Sequence, residues 1–341
     1  MSTNLSAALS QPLEIAGRPV APRLTLAPLT GLGHVAFREL LARFGGYGLL
    51  FSEMCSARRI PHERPETSPC FRWREAERDR LVIQILGDDP GTMAEAARRV
   101  EGAGLFGVDL NFGCSVSAIR RHGGGAALLT DPDRAGRIVA AVRRAVACPL
   151  FVKFRTGWTD DPAVPVALAR RFAEAGADAL TFHPRVAPDR RSRPPRWKYI
   201  GRVKEAVGVP VFGNGDVFDA DDCRRMLDTT RCDGVAVGRM AVARPWIFAQ
   251  WTAGFDPPPE LYFETVREVI RLLDAHFDPG QALRRFKRFA RYFAANFTFG
   301  HTFFAGIQNA PDMASAWRAA ERFFDTPPAI ASRPNVNLFA G

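Results

Sequence analysis

The sequence predicts an α/β fold, a (β/α)8 TIM barrel, continued by a C-terminal all-helical domain. Three observations lead there. Eight short apolar runs recur, each followed by helical periodicity or by a loop with helix-start residues. Polar residues end nearly every run, at the edge where a barrel gathers its chemistry. After Trp246 the runs cease, and Asp256-Pro257-Pro258-Pro259 separates them from purely helical patterns. The barrel is expected over residues 1–255, and the helical domain with its tail over 256–341.

The runs are Leu24–Leu29, Gly48–Glu53, Leu81–Leu86, Val108–Asn111, Leu150–Phe154, Ala179–His183, Val209–Gly213 and Gly234–Gly238. Short, continuously apolar strands are those of buried parallel sheets, and parallel neighbours need a crossover helix. Eight such units within about 215 residues match a barrel that typically occupies about 250. Between them, Thr92–Glu101 carries Met93, Ala96, Ala97 and Val100 on one face. Asp131-Pro132 supplies an N-cap and a proline at the first helical position. Ala163–Ala175 and Asp219–Leu227 repeat the plan. Cys55–Arg80 departs from it, being polar, irregular and proline-bearing, and is expected over the barrel mouth. Tyr262–Phe277, Gln281–Ala295 and Met313–Phe324 are the helices of the second domain, and Pro327–Gly341 reads as a loose tail.

Composition is that of a globular protein, 47% hydrophobic and 24% charged. No apolar run nears the roughly 18 residues of a membrane span. The first twelve residues lack the basic-then-apolar order of a signal peptide. A cytoplasmic protein with no membrane partner is therefore expected, and a monomer is the working assumption. Cys55, Cys70, Cys114, Cys148, Cys223 and Cys232 form no C-x-x-C pair, so neither a disulfide framework nor a metal site is expected.

The formal net charge of +10 is unevenly spread. Arg185, Arg190, Arg191, Arg193, Arg196, Lys198, Arg202 and Lys204 crowd one stretch, opposed there by Asp189 and Glu205. Arg284, Arg285, Lys287, Arg288 and Arg291 form a second cluster with no acid among them. Such patches suit a polyanion such as RNA; the alternative is a solvated basic surface in an arginine-rich chain.

The centre of the candidate site is Val108-Asp109-Leu110-Asn111-Phe112-Gly113-Cys114, followed by Gly123, Gly124 and Gly125. An apolar strand there runs into an asparagine, a turn glycine and a thiol. Gln84, His183 with Arg185, and Lys153 with Arg155 stand at other strand ends. Lys153 is one of only four lysines and interrupts the apolar Phe151-Val152-Lys153-Phe154, so it needs an anionic partner, either a ligand or an ion pair inside the barrel. Gly213-Asn214-Gly215-Asp216 and Val237-Gly238-Arg239 place glycines in the seventh and eighth strand loops, where barrels commonly hold a phosphate. Ordinary turn glycines are the competing explanation.

Taken together and in order, these residues resemble the tRNA-dihydrouridine synthases, FMN-dependent enzymes with a barrel and a C-terminal helical domain. The matching pieces are Ala27-Pro28-Leu29-Thr30-Gly31, Ser52-Glu53-Met54, Gln84-Ile85-Leu86-Gly87 and Asp109 through Cys114. They continue with Gly124 through Leu129, Val152 through Arg155, His183-Pro184-Arg185, Gly213 through Asp216, Gly238-Arg239 and Pro245-Trp246. Leu110 through Pro132 looks most like the bacterial enzymes acting on the tRNA D loop. The resemblance implies that Pro28, Leu29, Gln84, Asn111, Lys153, His183, Asn214, Gly215, Asp216, Gly238 and Arg239 contact FMN. It implies reduction of a tRNA uridine to 5,6-dihydrouridine: hydride from flavin N5 to uracil C6, a proton from Cys114 to C5, NADPH as reductant. Arg155, Arg185, Arg190, Arg191, Arg284, Arg285, Lys287 and Arg288 are then the expected substrate and RNA contacts.

Three departures stand out. Ser115 follows the cysteine where the family has proline, Val186 replaces a threonine, and a bulky Arg244 precedes Pro245-Trp246. Two other functions compete: an FMN barrel reductase of a small molecule, which has no need of a basic helical domain, and an inactive RNA-binding homologue, which has no need to keep Cys114, Lys153 and His183 together.

Overall fold

The structure, a computed structural model, describes residues 2–187, 189 and 193–339. Among these, eight parallel strands close into a barrel: β1 (Leu24–Leu26), β2 (Leu49–Phe51), β3 (Leu81–Leu86), β4 (Gly107–Phe112), β5 (Leu150–Arg155), β6 (Ala179–His183), β7 (Val211–Asn214) and β8 (Gly234–Val237). Each pairs with its neighbour in the chain, and β8 pairs back to β1 through Val235↔Leu24. β3 and β6 have the predicted bounds. β1 ends before Pro28 and β7 begins after Pro210, since proline has no N–H to give to a ladder.

Alternate side chains divide two cores. Val108, Leu110 and Phe112 of β4 face the surrounding helices. Inside the barrel, Ala27, Phe51, Val82, Phe151, Phe212 and Ala236 contribute to a separate apolar cluster. Phe51 and Phe151 meet edge to face at 5.3 Å.

The helices follow the capping residues. Asp89 caps Pro90–Gly102 by accepting from Thr92 N at 2.8 Å, Asp131 caps Pro132–Ala145 from Arg134 N at 2.9 Å, and Asp219 caps Ala220–Thr230 from Asp222 N at 2.8 Å. The 55–80 connection is built into the barrel wall. Cys55–Ser56 pairs in parallel with the C-terminal end of β3, and Phe71 is fully buried. Its anchor is Arg38, itself 0% exposed, which meets Glu77 at 2.8 Å and donates to Gly33 O and Arg72 O.

Glu260–His276, Pro279–Phe293 and Met313–Phe324 are helical as expected, and Gly300–Gln308 is a further helix. Its glycines at 300 and 306 give it little intrinsic propensity, so packing of the buried Phe303 and Ile307 forms it. Aromatic rings fill this region, Phe297 lying 5.1 Å from Phe323 and 5.9 Å from Phe303. Arg244 belongs here too. It donates to Asn296 Oδ1 at 3.0 Å, and Asn296 Nδ2 donates to Ala243 O and Phe293 O, which fastens the end of the barrel to the helices.

The tail is not loose. Ala331 N donates to Asn296 O at 2.7 Å, Asn335 N to Ala295 O at 2.8 Å, and Phe339 is 0% exposed. Backbone pairing and one buried ring, neither readable from composition, hold it down. No described helix is long and apolar enough to cross a membrane.

Candidate active site

At the C-terminal end of the strands the barrel interior turns polar. The register sets Gln84 beside Asp109, Asn111 beside Lys153, and Arg155 beside His183. Three of these form a buried chain of hydrogen bonds. Gln84 Nε2 donates to Asp109 Oδ2 at 2.6 Å, and Asn111 Nδ2 donates to Gln84 Oε1 at 2.7 Å. Asn111 Oδ1 accepts from Gly113 N at 3.1 Å and Cys114 N at 2.9 Å. Asp109 thus sets the Gln84 amide, Gln84 sets Asn111, and Asn111 fixes the turn that carries the half-buried Cys114.

The glycine run closes on the same turn. Ala126 N donates to Cys114 O at 2.8 Å, and Gly125 has φ +61°. A Cβ on Gly125 would stand 2.5 Å from Cys114 O, so only glycine allows this approach. A Cβ on Gly113 would lie 3.6 Å from Arg155 Cγ, which puts the cysteine turn beside the end of β5.

Next to this turn is a cavity of about 220 Å³. Pro28 and Leu29 after β1, Lys153 and Arg155 on β5, and His183 and Arg185 at β6 line one part of it. Asn214, Gly215 and Asp216 after β7, with Gly238 and Arg239 after β8, line the other, and Tyr292 reaches in from the helices. The structure therefore brings most of the expected cofactor residues to one cavity. Gln84 and Asn111 are not in its lining; they engage each other beside it.

The loops after β7 and β8 are shaped for close approach. Gly215 has φ +119°, and a Cβ there would meet His183 Cδ2 at 2.7 Å. Asp216 holds φ +51°, unusual for a side-chain-bearing residue. Its carboxylate spans Arg185 at 2.9 Å and Arg239 at 2.6 Å. Arg185, expected among the substrate and RNA contacts, is 2% exposed; it lines the cavity and takes part in this buried bridge.

Cations dominate the cavity. Burial, then the charges of Arg155, Lys153, Arg185 and Arg239, hold His183 well below its ordinary pKa, so its imidazole is neutral. Among the described residues its buried Nε2 has no hydrogen-bond partner. Burial also pushes the Asp109 carboxyl up and the Lys153 ammonium down; Arg155 adds to the second shift, while the attraction between Asp109 and Lys153 offsets part of both. Among the described residues Lys153 makes no direct ion pair with Asp109, which attracts it only from a distance, and Lys153 lines the cavity. Asp109 was not singled out from the sequence, yet it gives the same signal as Lys153, a charge interrupting an apolar strand. Tyr292 gives none, because only docking of its helix brings it here.

The first basic cluster is partly neutralised, by Asp189 within it and by Asp160 and Asp233 from elsewhere in the chain. Arg196 meets Asp160 at 2.7 Å and Asp189 at 2.9 Å, Arg193 meets Asp189 at 3.0 Å, and Lys204 meets Asp233 at 2.8 Å. Arg190 and Arg191 lie outside the described residues. On Pro279–Phe293, Arg284 and Arg288 are exposed and Lys287 is half-buried. Arg285 turns inward to Glu53 at 3.3 Å and stacks on Phe277 at 4.1 Å. The RNA contact expected of Arg285 gives way to this docking contact between helices and barrel. Among the described residues no group of three His, Cys, Asp or Glu could hold a metal.

A family model described as dihydrouridine synthase (Dus) matches residues 25–313. A Mycobacterium tuberculosis protein named "Probable tRNA-dihydrouridine synthase" is 38% identical over 311 residues, covering 85% of this chain and 79% of the relative. A tRNA-dihydrouridine(16) synthase of Ralstonia nicotianae is 39% identical over 235 residues, covering 66% and 71%. Among solved structures, TcOYE with pHBA is similar at TM-score 0.52 and 12% identity, over 74% of this chain and 96% of that one. A 2-naphthoyl-CoA reductase complex is similar at TM-score 0.56 and 13% identity, over 73% of this chain and 52% of that one, so this chain spans about half its length. At such identities the structural likeness is one of fold. The family match covers all eight strand ends but one residue of β1, with the relatives aligned across most of the chain, and the chain belongs to the dihydrouridine synthase family.

Proposed function

We propose that the protein reduces a uridine in the D loop of tRNA to 5,6-dihydrouridine, with FMN as bound cofactor and NADPH as reductant. The observation that carries this reading is the cavity itself, where four cations surround a neutral His183 with an orphaned Nε2. Such a donor set fits an anionic, hydrogen-bonding cofactor. The names of the relatives support tRNA as substrate. In this reading the chain acts in the cytoplasm as a monomer, with residues 1–255 as catalytic barrel and 256–341 as RNA-binding domain.

Asn214, Gly215, Gly238 and Arg239 would hold the phosphate end of FMN, with Asp216 orienting Arg239 beside it, and Pro28, Leu29, Gln84, Asn111, Lys153 and His183 would hold its ring system. Bound flavin supplies the hydride that reaches uracil C6. Lys153 keeps a positive charge beside the ring, offsetting negative charge in a low-dielectric interior. Arg155, next to the cysteine turn, orients the base. Cys114 Sγ gives its proton to C5, and the Asn111 bonds hold the thiol turn still while it does. The uridine has to leave its stack to reach this depth, and surface arginines hold the RNA backbone meanwhile.

The direct test is anaerobic. Protein reduced with NADPH is mixed with unmodified tRNA, and flavin reoxidation is followed beside dihydrouridine formation. Reoxidation with product is expected; a reduced flavin indifferent to tRNA overturns the reading. A second expectation concerns Arg284 and Arg288. Changing both to glutamate weakens tRNA binding, and the slope of log affinity against log salt flattens by about one to two. An unmoved slope in a filter-binding titration removes this helix from the RNA surface.

A further inference from the structure

Resting on the flavin reading above, we propose that the C-terminal segment, through Phe339, is part of the cofactor-phosphate site and positions Arg239. Phe339 is completely buried. Its ring centroid lies 5.3 Å from that of Tyr292 and 6.5 Å from that of Phe218, and both of those side chains line the cavity. The guanidinium carbon of Arg239 stands 5.7 Å from the Phe339 centroid, while one of its nitrogens meets Asp216 at 2.6 Å. An aromatic face on one side and a carboxylate at one edge define the guanidinium plane.

The segment is tied to the elements that build this end of the cavity. Arg291 Nε donates to Leu338 O at 3.2 Å, and Asn335 N donates to Ala295 O at 2.8 Å. Arg333 reaches Asp219 at 3.4 Å and Asp222 at 3.6 Å, at the start of the helix after β7. It thereby links the β7 loop, the residue after β8 and the helix carrying Tyr292. The family match ends at residue 313, so this link lies beyond the shared pattern.

The physical effect is preorganisation. An arginine free to sample rotamers loses that freedom when it clamps a phosphate, whereas one already held between a ring and a carboxylate loses less. Phe339 never touches the ligand in this scheme; it acts through Arg239.

FMN and riboflavin share the ring and ribityl chain and differ in the phosphate, so their affinity ratio isolates the effect. Both are titrated into the full chain stripped of flavin, as wild type, Phe339→Ala and Phe339→Leu. Phe339→Ala is expected to weaken FMN about tenfold and to leave riboflavin unchanged. Phe339→Leu keeps apolar bulk without a ring face, so it shows the same selective loss in a chain whose packing is better preserved. Equal loss of both flavins marks Phe339 as merely structural and overturns the inference, as does no loss of either. Wild type that binds neither flavin overturns the cofactor reading itself, a result distinct from a variant that behaves like wild type.

Discussion

Cys114→Ala lowers uridine reduction by about 10²–10⁴-fold, the usual worth of a positioned proton donor, while flavin binding and its reduction by NADPH persist. The separation follows from the geometry. In the proposed reaction Cys114 acts on the base and is not among the residues that would hold the flavin, so the cofactor keeps its contacts when the thiol goes. The turn also survives, because it is held through the backbone amides of residues 113 and 114 and the carbonyl of 114, all indifferent to the side chain. Rapid-mixing measurements of the two half-reactions check it. If the oxidative half-reaction keeps its rate, the proton comes from elsewhere.

Glu77→Ala destabilises the fold by about 3–5 kcal/mol, the range for removing one partner of a buried ion pair. Arg38 is the charge left behind. With 0% exposure it has no access to water; its bonds to Gly33 O and Arg72 O remain, but they do not neutralise it, and the Nε and Nη2 hydrogens now given to Glu77 are left without that acceptor. Glu77 also accepts from Arg74 N at 3.1 Å, so the end of the 55–80 connection loses a second tie. Against a total stability of about 5–15 kcal/mol such a loss is large. A lower denaturation midpoint in urea with an unchanged slope is the expected signature. Replacing both residues by apolar ones of similar size costs less than Glu77→Ala alone, since no charge then remains buried.

Much of the barrel was legible because its strands are apolar on both faces and its helices announce themselves with Asp caps. Asp131 caps the helix that its position suggests, and Asp89 and Asp219 cap theirs in the same way. What stayed hidden depends on partners far away in sequence. Arg185 at a strand end and Arg285 on a helix both stand in arginine-rich stretches, yet one finds Asp216 and the other Glu53 only after folding. Arg244 reads as a departure from a pattern until Asn296 arrives from the helical region. The tail reads as loose for the same reason, since proline and polar residues say nothing of the buried slot that receives Phe339. The cavity-lining strand ends were visible one by one; the hydrogen-bonded order of Asp109, Gln84 and Asn111 was not, because side-chain pairing across strands needs a register.

With its carboxylate already seated between Arg185 and Arg239, Asp216 neutralises part of the positive charge at this end of the cavity. An anion that enters meets two guanidiniums already engaged and a carboxylate that repels it. A bare anion therefore gains little there, whereas a ligand with further contacts along the cavity offsets the repulsion, and selectivity arises from what the site already contains.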